Sequence, residues 1–137
     1  MFVDLLEKAD QKKQTTMARE TRKKEILNLF KSLAEKTESE LRGIFKTIKI
    51  CDSYDTGNII VSRKQKDIKW LSENEIYTYV VDICSYPKDN PYIYAGDGYN
   101  RYHPTNIPFK WDMTNAQLTI IYNNALRTMV SKALHLN

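Results

Sequence analysis

The sequence predicts an α+β fold: a long N-terminal amphipathic helix, a small and mainly antiparallel sheet, and a C-terminal helix packed on it. Three observations lead there. The chain has no Gly before Gly43 and no Pro before Pro87, so nothing in its first forty residues interrupts a helix. Its middle is rich in β-branched and aromatic residues around a turn signal. Residues 114–135 carry a broad apolar stripe at helical spacing.

The first helix is expected over 24–49. At about 100° per residue, Ile26, Leu27, Phe30, Leu33, Ala34, Leu41, Ile44, Phe45 and Ile48 fall within one arc of about 120°. Lys31, Glu35, Glu38, Arg42 and Lys46 lie opposite, and Glu38 with Arg42 forms a favourable i,i+4 pair. A helix of that length spans roughly 40 Å, which is long for a small domain. Part of it is therefore expected to project, or to pair with another chain as a coiled coil.

Residues 1–22 form a basic helical arm, set apart from a single α+β domain over 23–137. Asp4 and Glu7 resemble a capping pair, with Phe2, Leu5, Leu6 and Ala9 on one side. From Lys8 to Lys24 there are seven Lys or Arg and two acids. Extending the same wheel backwards places Lys8, Lys12, Arg19, Arg22 and Lys23 in one arc of about 100°, overlapping the arc that is apolar after Ile26. One straight helix cannot bury that face in a uniform environment. Either the helix breaks near Gln14–Thr16, or the arm leaves the body and meets a different partner.

Strands are expected over about 46–85. Asp55-Thr56-Gly57-Asn58 is a turn signal between Ile48-Lys49-Ile50 and Ile59-Ile60-Val61. Tyr77, Tyr79, Val81 and Ile83 alternate, which favours a strand for Ile76 to Cys84. Ser72 and Glu75 offer a rival capping box, with Ile76, Tyr79, Val80 and Ile83 at helical spacing. All four Pro fall between Pro87 and Pro108, so that stretch is expected to be loop-rich. The last helix, 114–135, would be capped by Asp112 or Thr114. Its stripe of Leu118, Ile121, Tyr122, Ala125, Leu126, Met129, Val130 and Ala133 is wide enough to meet both a sheet and a neighbouring helix.

Composition excludes whole classes of protein. Apolar residues make up 42%, too many for a disordered chain. Two Cys exclude a disulfide scaffold, and Cys51 and Cys84 are expected to be reduced structural thiols. The opening MFVDLLEKAD lacks the features of a secretory leader. The longest uncharged run, Met113 to Leu126, is too short and polar to span a bilayer. An intracellular, cytoplasmic protein with no membrane contact is expected. Fifteen Lys against six Arg, with 13 Ile, 10 Asn and 9 Tyr, is the usage of an AT-rich genome, as many phages, viruses and low-GC bacteria have; a viral or phage source is the expectation.

The net charge of +4 lies wholly in residues 1–50, which hold 12 basic and 8 acidic side chains; residues 51–137 hold nine of each. A helix with a basic face neutralises phosphates, so Lys8, Lys12, Arg19, Arg22, Lys23 and Lys24 are the candidate nucleic-acid contacts. The ordinary use of such a face is simply to be solvated. Seven of nine Tyr lie between Tyr77 and Tyr102, and Tyr is common at interfaces. Tyr92, Tyr94, Tyr99, Arg101 and Tyr102 form a candidate interface loop. Asp97 to His103 contains Asp, Asn and His but lacks the acidic spacing of a calcium loop, so no metal is expected there. His135, near the end of the last helix, would interact with its C-terminal carbonyls.

Asp55 ahead of Asp67-Ile68-Lys69 resembles the constellation of PD-(D/E)xK nucleases, in which two carboxylates hold Mg²⁺ and a Lys positions water. Such triplets arise by chance in a chain that is 28% charged. No G-x-S-x-G or phosphate-binding Gly loop is present. The expected function is therefore non-catalytic and needs no cofactor: an oligomeric assembly or adaptor protein, binding itself or another protein through helix 24–49 and the Tyr-rich loop. A nucleic-acid-binding protein using the basic arm is the alternative, and a small Mg²⁺-dependent nuclease the second.

Overall fold

The computed structural model describes residues 1–45, 47–50, 59–64, 76–85, 90–97, 105–134 and 136. Helix α1 (Val3–Arg42) is followed by strands β1 (Thr47–Ile50), β2 (Ile59–Lys64), β3 (Ile76–Cys84), β4 (Tyr92–Asp97) and β5 (Thr105–Pro108), then by helix α2 (Asn115–Ala133). The strands form one antiparallel meander in the order β1-β2-β3-β4-β5. Together these elements make the α+β architecture expected from the sequence.

The register sets which side chains share a face. Ile50 pairs with Ile59, Ile59 with Val81, and Val81 with Ala95; Ile83 pairs with Ile93, and Ile93 with Ile107. Directly opposed residues point to the same side of an antiparallel sheet. All of these apolar residues belong to the core or pack against it. Helix α2 packs on β3, β4 and β5, while α1 packs beside α2 and on β1. In β4 the alternation is masked, because the four residues Ile93 to Gly96 are all buried.

The sequence placed strand 76–84 correctly; the rival helix over these residues does not form. The last helix starts where Thr114 accepts a hydrogen bond from the Gln117 backbone N–H, while the Gln117 side chain accepts from the Thr114 N–H. This reciprocal box satisfies two of the helix's unpaired donors, and Asp112 plays no part in it.

Two expectations are corrected, and one of two alternatives falls away. The first helix ends at Arg42, not at 49. Gly43 and Ile44 close its last turn by bonding back to the carbonyls of Glu40 and Leu41. Ile48 and Ile50 then pack on the core from β1. A spacing of four residues fits both a helical turn and two strand repeats, so the stripe runs on across the change of structure. The break near Gln14–Thr16 is also absent, since α1 is continuous. Thr15 and Thr16 donate their hydroxyls to the carbonyls of Gln11 and Lys12, four residues back, at 3.0 and 2.9 Å. Finally, the Pro-rich stretch holds two strands. Pro108 sits on β5 at the sheet's edge, where a missing N–H removes no ladder bond.

The helices are joined by a chain of rings. Phe30 stacks on Tyr122 with centroids 5.1 Å apart and meets the edge of Phe109 at 5.4 Å; Phe109 in turn meets Trp111 edge-on at 5.1 Å. Burial pushes the Tyr122 phenol above its ordinary value of 10.0. The neutral phenol is thus favoured in the folded state. That stabilisation is fully present below about pH 10 and is lost as pH rises beyond it. In urea titrations, the stability difference between wild type and Tyr122→Phe is expected to stay constant below about pH 9. Above about pH 10 wild type should lose stability faster than the variant. Parallel loss in both proteins would refute this assignment.

At the far end of α2, Lys132 reaches the sheet, donating to the Thr105 hydroxyl at 2.7 Å and to the Ala95 carbonyl at 3.3 Å. Gly96 makes room for it: φ is +152°, and a Cβ there would lie 3.2 Å from the Lys132 Nζ.

Candidate functional site

The part of α1 that precedes the core is the most unusual surface of the molecule. Every residue from 1 to 21 is exposed, and Ile26 is the first that is fully buried. The helix has 40 residues and so extends about 60 Å. Of its first twenty residues, Val3 to Arg22, only Arg22 is not exposed. Lys8, Lys12, Lys13 and Arg19 all stand in water there. So do Phe2, Leu5, Leu6 and Met17, each 56–66% exposed.

The arm meets the body at Arg22 and Lys23, both half-buried. The Arg22 guanidinium donates to the Met113 carbonyl at 2.9 Å and to Asn115 Oδ1 at 2.8 Å, and pairs with Glu25 at 3.3 Å. The Lys23 ammonium lies 5.5 Å from the centre of the Trp111 ring and 3.6 Å from Glu20. A cation at that distance is attracted by the negative face of the indole. These two residues therefore fasten the helix to the start of α2. Of the six candidate nucleic-acid contacts, Lys8, Lys12, Arg19 and Lys24 remain exposed.

Beside this junction lies an open groove of about 770 Å³, lined by Thr16, Ala18, Arg19, Lys23, Lys110 and Trp111 among others. Its lining sets Arg19, Arg22, Lys23 and Lys110 against Glu20 and Asp112, beside Ala18 and the Trp111 ring. Lys110 and Trp111 were not singled out in the sequence. The only hint of Trp111's placement was its position just ahead of a helix cap.

The tyrosines divide. Tyr94 is 2% exposed, with its hydroxyl donating to the Asp97 carbonyl at 2.6 Å, so it offers no surface to a partner. Tyr92 is half-buried on the same strand. These two belong to β4, not to a loop. Tyr99, Arg101 and Tyr102 lie outside the described residues, as do the proposed nuclease residues Asp55, Asp67 and Lys69, and also Cys51, His103 and His135. Cys84 is half-buried, with its thiol 4.0 Å from the Asp82 carbonyl. Among the described residues, no three His, Cys, Asp or Glu side chains are grouped to hold a metal, and no helix is long and apolar enough to cross a membrane.

Comparison with protein families, curated proteins and solved structures finds no match to this chain.

Proposed function

We propose that this is a non-catalytic assembly protein that associates through the exposed arm of α1. The observation behind the proposal is the arm itself: nineteen exposed residues of continuous helix, 3–21, carrying apolar side chains that no described residue buries. A helix without tertiary contacts gains little from its own hydrogen bonds, and isolated helices shorter than about 12–15 residues are marginal in water. An amphipathic helix is ordinarily stabilised by what its apolar side packs against. A protein partner supplies such a surface, and a small-molecule substrate does not.

A second reading rests on the exposed Lys8, Lys12 and Arg19, which share one face of the arm. They would contact phosphates, with binding that weakens steeply as salt rises. The engagement of Arg22 and Lys23 within the chain reduces the charge available for this role and places it second.

Light scattering over a range of concentrations separates the two, with and without a short DNA duplex, at low and high salt. The full chain is expected to be oligomeric and indifferent to DNA, and a variant lacking residues 2–20 to be a folded monomer. A chain that stays monomeric at high concentration would overturn the assembly reading. A mass shift that needs DNA and vanishes at high salt would promote the phosphate-binding one.

A further inference from the structure

Granting that the arm is an assembly element, its charge pattern identifies the partner. We infer that the arm binds a second copy of this chain in antiparallel fashion, with the tip of each arm seated in the Trp111 groove at the base of the other.

Charge is segregated along the arm. Residues 1–10 hold Asp4, Glu7 and Asp10 against Lys8, so their side chains sum to −2. Residues 11–25 hold Lys12, Lys13, Arg19, Arg22, Lys23 and Lys24 against Glu20 and Glu25, a sum of +4; with Arg22 paired to Glu25 and Lys23 to Glu20, the excess is carried by Lys12, Lys13, Arg19 and Lys24. Two arms side by side in parallel would set acid against acid and base against base. Antiparallel arms set each acidic tip against the other's basic base. Unlike charges across an interface select orientation and register in this way.

The apolar groups match the same arrangement. Phe2, Leu5, Leu6 and Ala9 lie on one side of the tip, exposed. The groove presents Ala18, the Trp111 ring and the aliphatic stems of Arg19, Lys23 and Lys110, and its four cations outnumber its two carboxylates, Glu20 and Asp112. Long cationic side chains cover apolar surface with their stems while their heads stay in water. Helix residues 15–23 line the groove and residues 2–9 form the tip, so the two stand about 20 Å apart on one helix. A two-fold axis near Lys12 and Lys13 brings both tips to both grooves together. The result is a closed isologous dimer in which each patch is used once. Lys12 and Lys13 are the like charges brought together at the axis. Both are exposed, with stems long enough to turn their ammonium groups into water.

Two charge-reversed proteins test this by sedimentation. One carries Asp4→Lys and Asp10→Lys in the tip; the other carries Arg19→Glu and Lys110→Glu in the groove. All four positions are exposed, and circular dichroism with thermal melting checks that each variant remains folded. Each variant alone is expected to self-associate at least about tenfold more weakly than wild type. An equimolar mixture should recover the dimer, because both of its tip-to-groove contacts again join unlike charges. A mixture that stays monomeric while wild type dimerises would overturn the tip-in-groove arrangement and leave the assembly reading standing. So would variants that dimerise like wild type. A monomeric wild type would overturn both.

Discussion

Phe30→Ala is expected to destabilise the fold by about 3–5 kcal/mol, the usual cost of removing a buried ring from a packed core. Phe30 is fully buried and joins three parts of the molecule: α1, Tyr122 of α2, and Phe109 just after β5. Truncation leaves a cavity between the helices and removes two ring contacts, each worth about 0.5–1.5 kcal/mol beyond the area buried. Small domains have only about 5–15 kcal/mol of stability in total. The variant should therefore unfold at a much lower urea midpoint, measured by equilibrium denaturation of wild type and variant together. A shift worth less than about 1 kcal/mol would show that α1 is not packed through Phe30 as described.

Gln14→Pro is expected to do the opposite on the same helix. Proline in a helix interior removes one backbone bond and clashes with the preceding turn, at a cost of about 3 kcal/mol or more. Yet Gln14 is exposed, and lies ahead of Arg22 and Lys23, which fasten the helix to the body. The arm should lose helical signal by circular dichroism, while the body's thermal midpoint at low protein concentration stays where it was. Self-association should fall with the arm. A midpoint that drops as for a core variant would mean that the arm packs against the body after all. The contrast is informative because both positions lie in one unbroken run of backbone hydrogen bonds. What separates them is burial, not secondary structure.

The parts of this fold that could be read from the sequence are those where one periodicity fitted and its rival did not. The Tyr/Val/Ile alternation of β3 and the stripe of α2 are of that kind. The end of α1 was hidden because Ile44, Ile48 and Ile50 satisfy strand spacing while the first two also satisfy helical spacing. β4 and β5 were hidden because Pro ordinarily breaks regular structure, whereas here Pro91 precedes β4 and Pro108 ends the edge strand β5. Of the candidate site, the cationic arc of the arm was visible in the order of residues alone. The roles of Arg22 and Lys23 were not. Arg22 finds its acceptors at Met113 and Asn115, about ninety residues further along the chain, and no local pattern announces such a pairing.

The pairing of the first helix with the last also bears on how the chain is made. Neighbouring strands of the meander are consecutive in sequence, so each hairpin can zip as soon as its two strands exist. Ile26, Phe30 and Ala34 must wait. Phe30's stacking partner is on α2, and translation proceeds at about 5–20 residues per second. For several seconds a nascent chain therefore carries α1 without the part of its cover that α2 supplies. During that interval the apolar side chains that α2 will cover stay open to any other apolar surface within reach.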